Sequence, residues 1–206
     1  FNSNLLGINP VGAGLRPALA VYCRIGQRTR MKHESDKRCR RSIRLRHYDH
    51  SQAGAYFVTI CTRDRASVLG HVTDGVMYLN VFGEAVQSCW SDLPHHYSYV
   101  ELDAFRVMPN HMHGIIVLDD SSDVGAGLRP APTIVNRYGL PEIIRAFKAF
   151  SSRRINELRG TSGIPVWQRN YYEHVIRNEY DLGEIREYIV HNPMKWDFDT
   201  ENPDCL

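Results

Sequence analysis

The sequence predicts an α+β fold in which an antiparallel sheet carries helices on one face. Strand-like and helix-like segments follow one another in the order β-α-β-β-α-β-α. The turn pair Pro109-Asn110 directly joins two of these strands, which makes the two strands antiparallel. This order of elements is that of a ferredoxin-like sandwich.

The first half of the fold contains one central strand and one helix. The run AYFVTICT, Ala55 to Thr62, is rich in β-branched and aromatic residues and predicts a central strand. A hairpin is expected around Thr73-Asp74-Gly75, and Asn80 is a candidate N-cap for a helix that ends before Pro94. The apolar residues of this helix are Phe82, Val86, Cys89, Trp90 and Leu93.

The second half begins with the hairpin of VELDAFRVM, Val100 to Met108, and HMHGIIVL, His111 to Leu118. A loop insertion rich in Gly, Ser, Pro and Asp follows at 119–136. A helix with Pro141 in its first turn comes next, and its apolar face consists of Leu140, Ile143, Ile144, Phe147, Ile155 and Leu158. Residues 166–178 predict an irregular strand and loop. The last helix spans Glu179 to Asn192 before Pro193, with Leu182, Ile185 and Ile189 inward.

Length and composition predict one globular domain at 41–198, with an N-terminal extension at 1–40 and a tail at 199–206. Hydrophobic residues make up 43% and charged residues 23% of the 206 positions, which argues against wholesale disorder. No apolar run approaches the roughly 18 residues of a membrane span, so no membrane partner is expected. The five cysteines form no CxxC pair, which argues against a disulfide framework and a thiolate zinc site and favours a reducing cytoplasm.

Positive charge is concentrated before the domain. Ten of the 25 basic residues lie between Arg24 and Arg46, although the net charge is only +2. Such a segment suits contact with phosphates, although a solvated, disordered tail is an equally good interpretation. The residues expected to bind DNA are Arg38, Arg40, Arg41, Arg44 and Arg46, together with a second cluster on the predicted 140–158 helix, Arg145, Lys148, Arg153 and Arg154.

The octapeptide VGAGLRPA occurs twice, at Val11 to Ala18 and at Val124 to Ala131. The reverse complement of the codons for Val-Gly-Ala-Gly matches the codons for Pro130-Ala131-Pro132-Thr133 at all eight fixed nucleotides. The two stretches of the gene can therefore pair with each other and form a hairpin. We interpret the repeat as translated palindromic DNA and expect residues 1–30 to lie outside the fold. The alternative is a Gly/Pro-rich loop that arose twice.

His111 and His113 lie two residues apart on a predicted strand, so both side chains leave the same face and can share one cation. Such a pair is most often structural unless a third ligand and a reactive group lie nearby. Tyr188 and Asn192 are neighbours on one face of the last helix because they are four residues apart. The spacing favours Tyr188 over the other tyrosines as the reactive group.

Four blocks of this sequence resemble the REP-associated tyrosine transposases, a branch of the HUH (His-hydrophobe-His) single-tyrosine transposases. They are YFVTICTRDR, VMPNHMHGIIVL, VWQRNYYEHVIRNE and EIREYIVHNPMKW, and the resemblance extends from about Arg41 to about Trp196. It implies an HUH endonuclease fold, with His111 and His113 as metal ligands and Tyr188 as the nucleophile. Asn192 would be the third ligand, where many insertion-sequence relatives have glutamine.

The resemblance implies a single-stranded DNA endonuclease and strand transferase that acts at palindromic repeat hairpins through a 5′-phosphotyrosine intermediate. A site of two imidazoles and one amide suits Mg²⁺ or Mn²⁺. Insertion-sequence relatives act as dimers, and the repeat-associated branch can act as a monomer, so both states stay open. The alternative function is a non-catalytic regulator that binds hairpin DNA or RNA.

Overall fold

The computed structural model describes residues 52–119, 138–199 and 202. Its strands are β1 (Gly54–Cys61), β2 (Gly70–Thr73), β3 (Val76–Leu79), β4 (Val100–Val107), β5 (His111–Leu118) and β6 (Tyr172–Ile176). Its helices are α1 (Val81–Ser91), α2 (Leu93–His96), α3 (Leu140–Leu158) and α4 (Glu179–His191), with short 3₁₀ helices at Arg63–Arg65 and Pro193–Phe198. The predicted order of elements is therefore confirmed.

The four longer strands form one antiparallel sheet in the order β4-β5-β1-β6. β1 is central, as predicted, because it pairs with β5 on one side and with β6 on the other. β2 and β3 form a separate hairpin. With helices α1 and α3 connecting the strands of the main sheet, this topology is that of the predicted ferredoxin-like sandwich.

One face of the sheet packs against α1 and α3 to form the main core. Alternation along β1 directs Tyr56, Val58 and Ile60 to this face, and all three are fully buried. Trp90 of α1 lies over Gly114 of β5 and meets Phe147 of α3 edge to face, with ring centroids 5.3 Å apart.

The opposite face carries the two histidines and is covered by α4 and the 193–198 segment. The ring of Tyr188 lies 6.2 Å from that of Phe57, and Trp196 lies 6.0 Å from His111. The crossover helices α1 and α3 lie on one face of the sheet, as predicted. Helix α4 lies on the other face and adds a further layer. The order of elements along a chain does not specify which face an extra terminal helix covers.

Individual element ends agree with the sequence to within a few residues. The Asn80 side chain caps α1 by accepting hydrogen bonds from the backbone of Phe82 and Gly83, as predicted. The helix ends at Ser91, and Pro94 lies in the short helix α2. Leu158 was expected to face inward but is 49% exposed, because α3 has reached its last turn there and extends past the core.

Several predictions concern residues outside the described ranges. They include the 1–40 extension, nearly all of the 119–136 insertion, both copies of VGAGLRPA, and all but two residues of the 199–206 tail. Among the helices that the structure does describe, none has the combination of length and apolar character needed to cross a bilayer.

Candidate active site

His111 and His113 lie side by side on β5, on the face of the sheet that α4 covers. Both are buried, with 1% and 3% of their surface exposed, and their Nε2 atoms are 3.0 Å apart. The two imidazoles therefore converge, as the spacing on a strand predicted. A pair of buried imidazole nitrogens at this distance requires a proton or a cation between them, because two lone pairs would otherwise repel each other.

The far nitrogen of each ring has a hydrogen-bonding partner. His111 Nδ1 donates to Asn110 Oδ1 at 2.8 Å, and His113 Nδ1 lies 2.8 Å from the hydroxyl of Thr59. Such contacts fix the ring orientation of metal-ligating histidines. Neither Asn110 nor Thr59 was identified from the sequence, since Thr59 reaches His113 only through the pairing of β1 with β5.

Burial keeps both histidines uncharged at neutral pH. Desolvation, with a smaller contribution from the Arg65 guanidinium, lowers the pKa of His111 to about 3. The pKa of His113 is also lowered well below its ordinary value, first by burial and then by His111. Neutral imidazoles keep a lone pair, which is the form that binds a metal.

Helix α4 brings Tyr188 and Asn192 to the same place. The Tyr188 hydroxyl lies 3.4 Å from His113 Nε2, and Asn192 Nδ2 lies 3.5 Å from the same atom. Asn192 is only 2% exposed, and its Oδ1 is buried without a hydrogen-bond partner. A buried amide oxygen without a partner is costly and points to a ligand, which this oxygen would face after a simple rotation of the amide group.

These residues fit a divalent cation. Two ligands at right angles around one cation, each at roughly 2.1 Å, are about 3.0 Å apart, which is the separation of the two Nε2 atoms. Within the described part of the chain, His, Cys, Asp and Glu residues form no group of three that could hold a metal. A third protein ligand from this part of the chain would be of another type, and the Asn192 side chain carries a suitable amide oxygen.

The structure separates Tyr188 from the neighbouring tyrosines more clearly than sequence spacing does. Tyr180 also has an acidic residue four positions later, Glu184, so spacing alone does not exclude it. In the structure the Tyr180 hydroxyl donates to Glu184 at 2.8 Å, and Tyr180 is 68% exposed. Tyr188, by contrast, packs against His113, with ring centroids 5.1 Å apart.

The predicted DNA-binding residues are not brought to the histidine pair. Arg145, Lys148, Arg153 and Arg154 lie on α3, which covers the other face of the sheet. Lys148 donates to the carbonyls of Gln168 and Asn170, and Arg154 pairs with Glu157. The remaining five arginines, Arg38, Arg40, Arg41, Arg44 and Arg46, lie outside the described residues.

One basic residue near the site was missed. Arg106 of β4 pairs directly with His113 of β5, so both side chains leave the same face of the sheet. This pairing could have been read from the sequence. A hairpin that turns at Pro109-Asn110 pairs residue 107 with residue 112, and therefore residue 106 with residue 113. The pairing places a guanidinium-bearing side chain one strand away from the histidine pair.

Comparison with known proteins places this geometry in a family. A Haemophilus influenzae protein named "Putative REP-associated tyrosine transposase" is 35% identical over 150 residues, which cover 71% of this chain and 74% of that protein. The chain belongs to the REP-associated tyrosine transposases. An uncharacterized protein from the same organism is 38% identical over 172 residues, or 78% of this chain and 91% of that protein.

A solved structure of a REP-associated tyrosine transposase bound to a REP hairpin shares 21% identity with this chain. The match has a TM-score of 0.48 and covers 75% of this chain and 74% of the other. No family model matches the sequence. The similarity supports a transposase-like function.

Proposed function

We propose that this REP-associated tyrosine transposase is a single-stranded DNA endonuclease and strand transferase that acts at palindromic hairpins. Tyr188 is the nucleophile, and His111, His113 and Asn192 hold Mg²⁺ or Mn²⁺. The observation that carries the proposal is the convergence of both Nε2 atoms, the Tyr188 hydroxyl and the side-chain amide of Asn192 around one point. The Asn192 Oδ1 has no hydrogen-bond partner, and a cation in the site would supply one once the amide turns over.

Tyr188 attacks the scissile phosphate through its phenolic oxygen. The phenol loses its proton, a Tyr188 Oη–P bond forms, the P–O3′ bond breaks, and the departing 3′ oxygen takes up a proton. The product is a 5′-phosphotyrosine and a free 3′-OH. Because the phosphodiester energy is kept in the phosphotyrosine, the 3′-OH of another strand can attack it and rejoin the DNA without ATP.

The surrounding residues prepare this step. A bound divalent cation polarises the scissile phosphate and offsets the charge that develops on it. His111 and His113 supply neutral nitrogens because burial keeps them unprotonated. Phe57 meets the Tyr188 ring edge to face, with centroids 6.2 Å apart, and so restricts where the phenol can point.

The proposed substrate is a hairpin with single-stranded flanks. The codons for Val124 to Thr133 are compatible with such a palindrome, with the stem class GTNGGNGCNGG and a loop encoded by Leu128-Arg129. The relative bound to a REP hairpin supports this class of substrate. The arginine-rich segment before the domain, Arg38 to Arg46, is proposed to neutralise the phosphates of the stem.

The proposal is tested by trapping the covalent intermediate. A hairpin oligonucleotide of this stem class, with flanks on both sides and a 3′-end label, is incubated with the protein and Mn²⁺ and run on a denaturing gel. We expect a labelled protein–DNA adduct that disappears when the cation is chelated. Tyr188→Phe should give no adduct, while its ring contacts with Phe57 and His113 are kept.

Tyr180→Phe is the matched control, because Tyr180 lies on the same helix but is exposed, and its hydroxyl donates to Glu184. This variant should form the adduct as wild type does. An adduct with Tyr188→Phe would exclude Tyr188 as nucleophile. Binding of the hairpin without any adduct under Mg²⁺ or Mn²⁺ would favour the non-catalytic hairpin-binding regulator.

A further inference from the structure

Asn110 lies fully buried between His111 and the turn that follows β1. Its Oδ1 accepts a hydrogen bond from His111 Nδ1 at 2.8 Å, and its Nδ2 donates to the backbone carbonyl of Arg65 at 3.2 Å. A carbonyl can only accept, so the Nδ2 group must face Arg65 and the oxygen must face His111. The amide of Asn110 therefore has a single orientation.

This orientation determines which nitrogen of His111 carries the proton. An amide oxygen can only accept, so the proton of the neutral ring must lie on Nδ1. The lone pair is then on Nε2, the atom that faces His113 at 3.0 Å. His113 is held differently, because its Nδ1 partner is the Thr59 hydroxyl, which can donate as well as accept.

The backbone of the turn is arranged to hold Asn110. Asp64 and Arg65 both adopt left-handed conformations, with φ of 55° and 56°, although neither is glycine. The Thr62 backbone N–H donates to the Asn110 carbonyl at 2.9 Å, and the Thr62 hydroxyl lies between the carbonyls of Asn110 and Ala66, at 2.9 and 2.8 Å. Two consecutive non-glycine residues in this region are strained, and such strain is typically kept at functional sites.

We propose that Asn110 is a positioning residue which, together with the Thr62–Arg65 turn, holds His111 in the one tautomer that can ligate a cation through Nε2. The identity of the cation rests on the proposed function, whereas the tautomer does not. Asn110 fixes His111 before metal arrives, and the Thr59 hydroxyl lets His113 exchange its proton between nitrogens. Metal binding then requires a change in only one of the two rings.

The tautomer is read by long-range ¹H–¹⁵N correlation spectra of the histidine rings in the ¹⁵N-labelled, metal-free protein. We expect His111 to carry its proton on Nδ1 in wild type and in Asn110→Asp, whose carboxylate still accepts from that nitrogen. Asn110→Ala should show protonation of His111 on Nε2. Its Mn²⁺ affinity, measured by calorimetry, should fall by about 10- to 100-fold.

Asn156→Ala is the control, since Asn156 is also a buried asparagine but bonds to Ile164 on the far side of the fold. Its Mn²⁺ affinity should stay within about threefold of wild type. A wild-type spectrum with the His111 proton on Nε2 would overturn the proposal, whether or not any variant folds. Folded Asn110→Ala with unchanged tautomer and affinity would do the same. Absence of Mn²⁺ binding in wild type would instead contradict the proposed function.

Discussion

Gly114 follows His113 directly and makes room for the largest side chain of the core. A Cβ at this position would overlap the indole of Trp90, which is fully buried. Trp90 can therefore pack against β5 directly beside His113 only because residue 114 has no side chain. Packing on the helical face and the geometry of the site are coupled through this one glycine.

Gly114→Ala is expected to destabilise the protein by about 1–3 kcal/mol, because Trp90 or the backbone of β5 must move. Gly183→Ala is the matched control, since a Cβ on that α4 residue meets nothing within 4 Å. It should stabilise the helix by about 0.5–1 kcal/mol. Urea denaturation of both variants measures the two effects, and equal stabilities would contradict the packing argument.

Asn192 illustrates a conflict between stability and function. Its buried Oδ1 has no hydrogen-bond partner, so replacement by the similarly sized leucine should raise the metal-free stability by about 1 kcal/mol. The same variant, Asn192→Leu, should lose at least tenfold in Mn²⁺ affinity. Urea denaturation without metal and calorimetry with Mn²⁺ check the two parts, and unchanged affinity would remove Asn192 from the ligand set.

At the residue level, the sequence predicted the members of the site that share one element. His111 and His113 follow from alternation on a strand, and Tyr188 and Asn192 from helical spacing. Thr59 was not identified, because its contact with His113 depends on the pairing of β1 with β5. Asn110 adjoins His111 in the chain and Arg106 follows from the register of the hairpin, so these two could have been found. Periodicity within an element contains no information about its neighbours.

At the level of elements, α4 must be held in place because it carries Tyr188 and Asn192. Arg186 of α4 binds Asp103 of β4 through both Nε, which donates to the two carboxylate oxygens at 3.0 and 3.1 Å, and Nη2, which donates to Oδ2. This bidentate pair connects the helix to the edge strand of the sheet. The position of α4 was not predictable from its amphipathic pattern, since Ile185 and Ile189 could pack against either face.

The Arg186–Asp103 pair predicts a dependence of stability on pH. The hydrogen bond from Arg186 lowers the pKa of Asp103 below its ordinary value. The carboxylate therefore contributes stability above its unfolded-state pKa of about 3.9, and this contribution is lost as the pH falls through the lower folded-state pKa. Asp103→Asn should cost about 0.5–1 kcal/mol at pH 7, because the pair is partly exposed.

Urea denaturation of Asp103→Asn and wild type at pH 7, 5 and 3 tests this dependence, and the difference between the two should be smaller at pH 3 than at pH 5 and 7. Asp64→Asn is the control, because the Asp64 side chain is 88% exposed and pairs only loosely with Arg63, at 3.5 Å. It should match wild type to within about 0.5 kcal/mol throughout. A constant difference across the pH range for Asp103→Asn would exclude the ion pair as its cause.

At the level of the whole molecule, the ends of the segment between β5 and α3 are fixed by one residue. Tyr99 accepts a hydrogen bond from the backbone N–H of Asp119 through its carbonyl, at 2.9 Å. Its hydroxyl bonds to both the N–H and the carbonyl of Tyr138, each at 2.9 Å. Asp119 and Tyr138, at the two ends of the segment, therefore lie next to the same residue. A short connection between them would be enough to keep β5 and α3 in place.

Replacing residues 121–136 by four residues of Gly and Ser should therefore leave the fold intact. Shortening a loop about threefold lowers the entropic cost of closing it. The free energy of unfolding should therefore stay the same or rise by up to about 1 kcal/mol. The adduct with a hairpin of the encoded stem class should form as in wild type, because the palindrome is proposed to act as DNA and not as peptide. A loss of more than about 2 kcal/mol in urea denaturation would show that the segment supports the fold, and loss of the adduct alone would show that the peptide contacts the substrate.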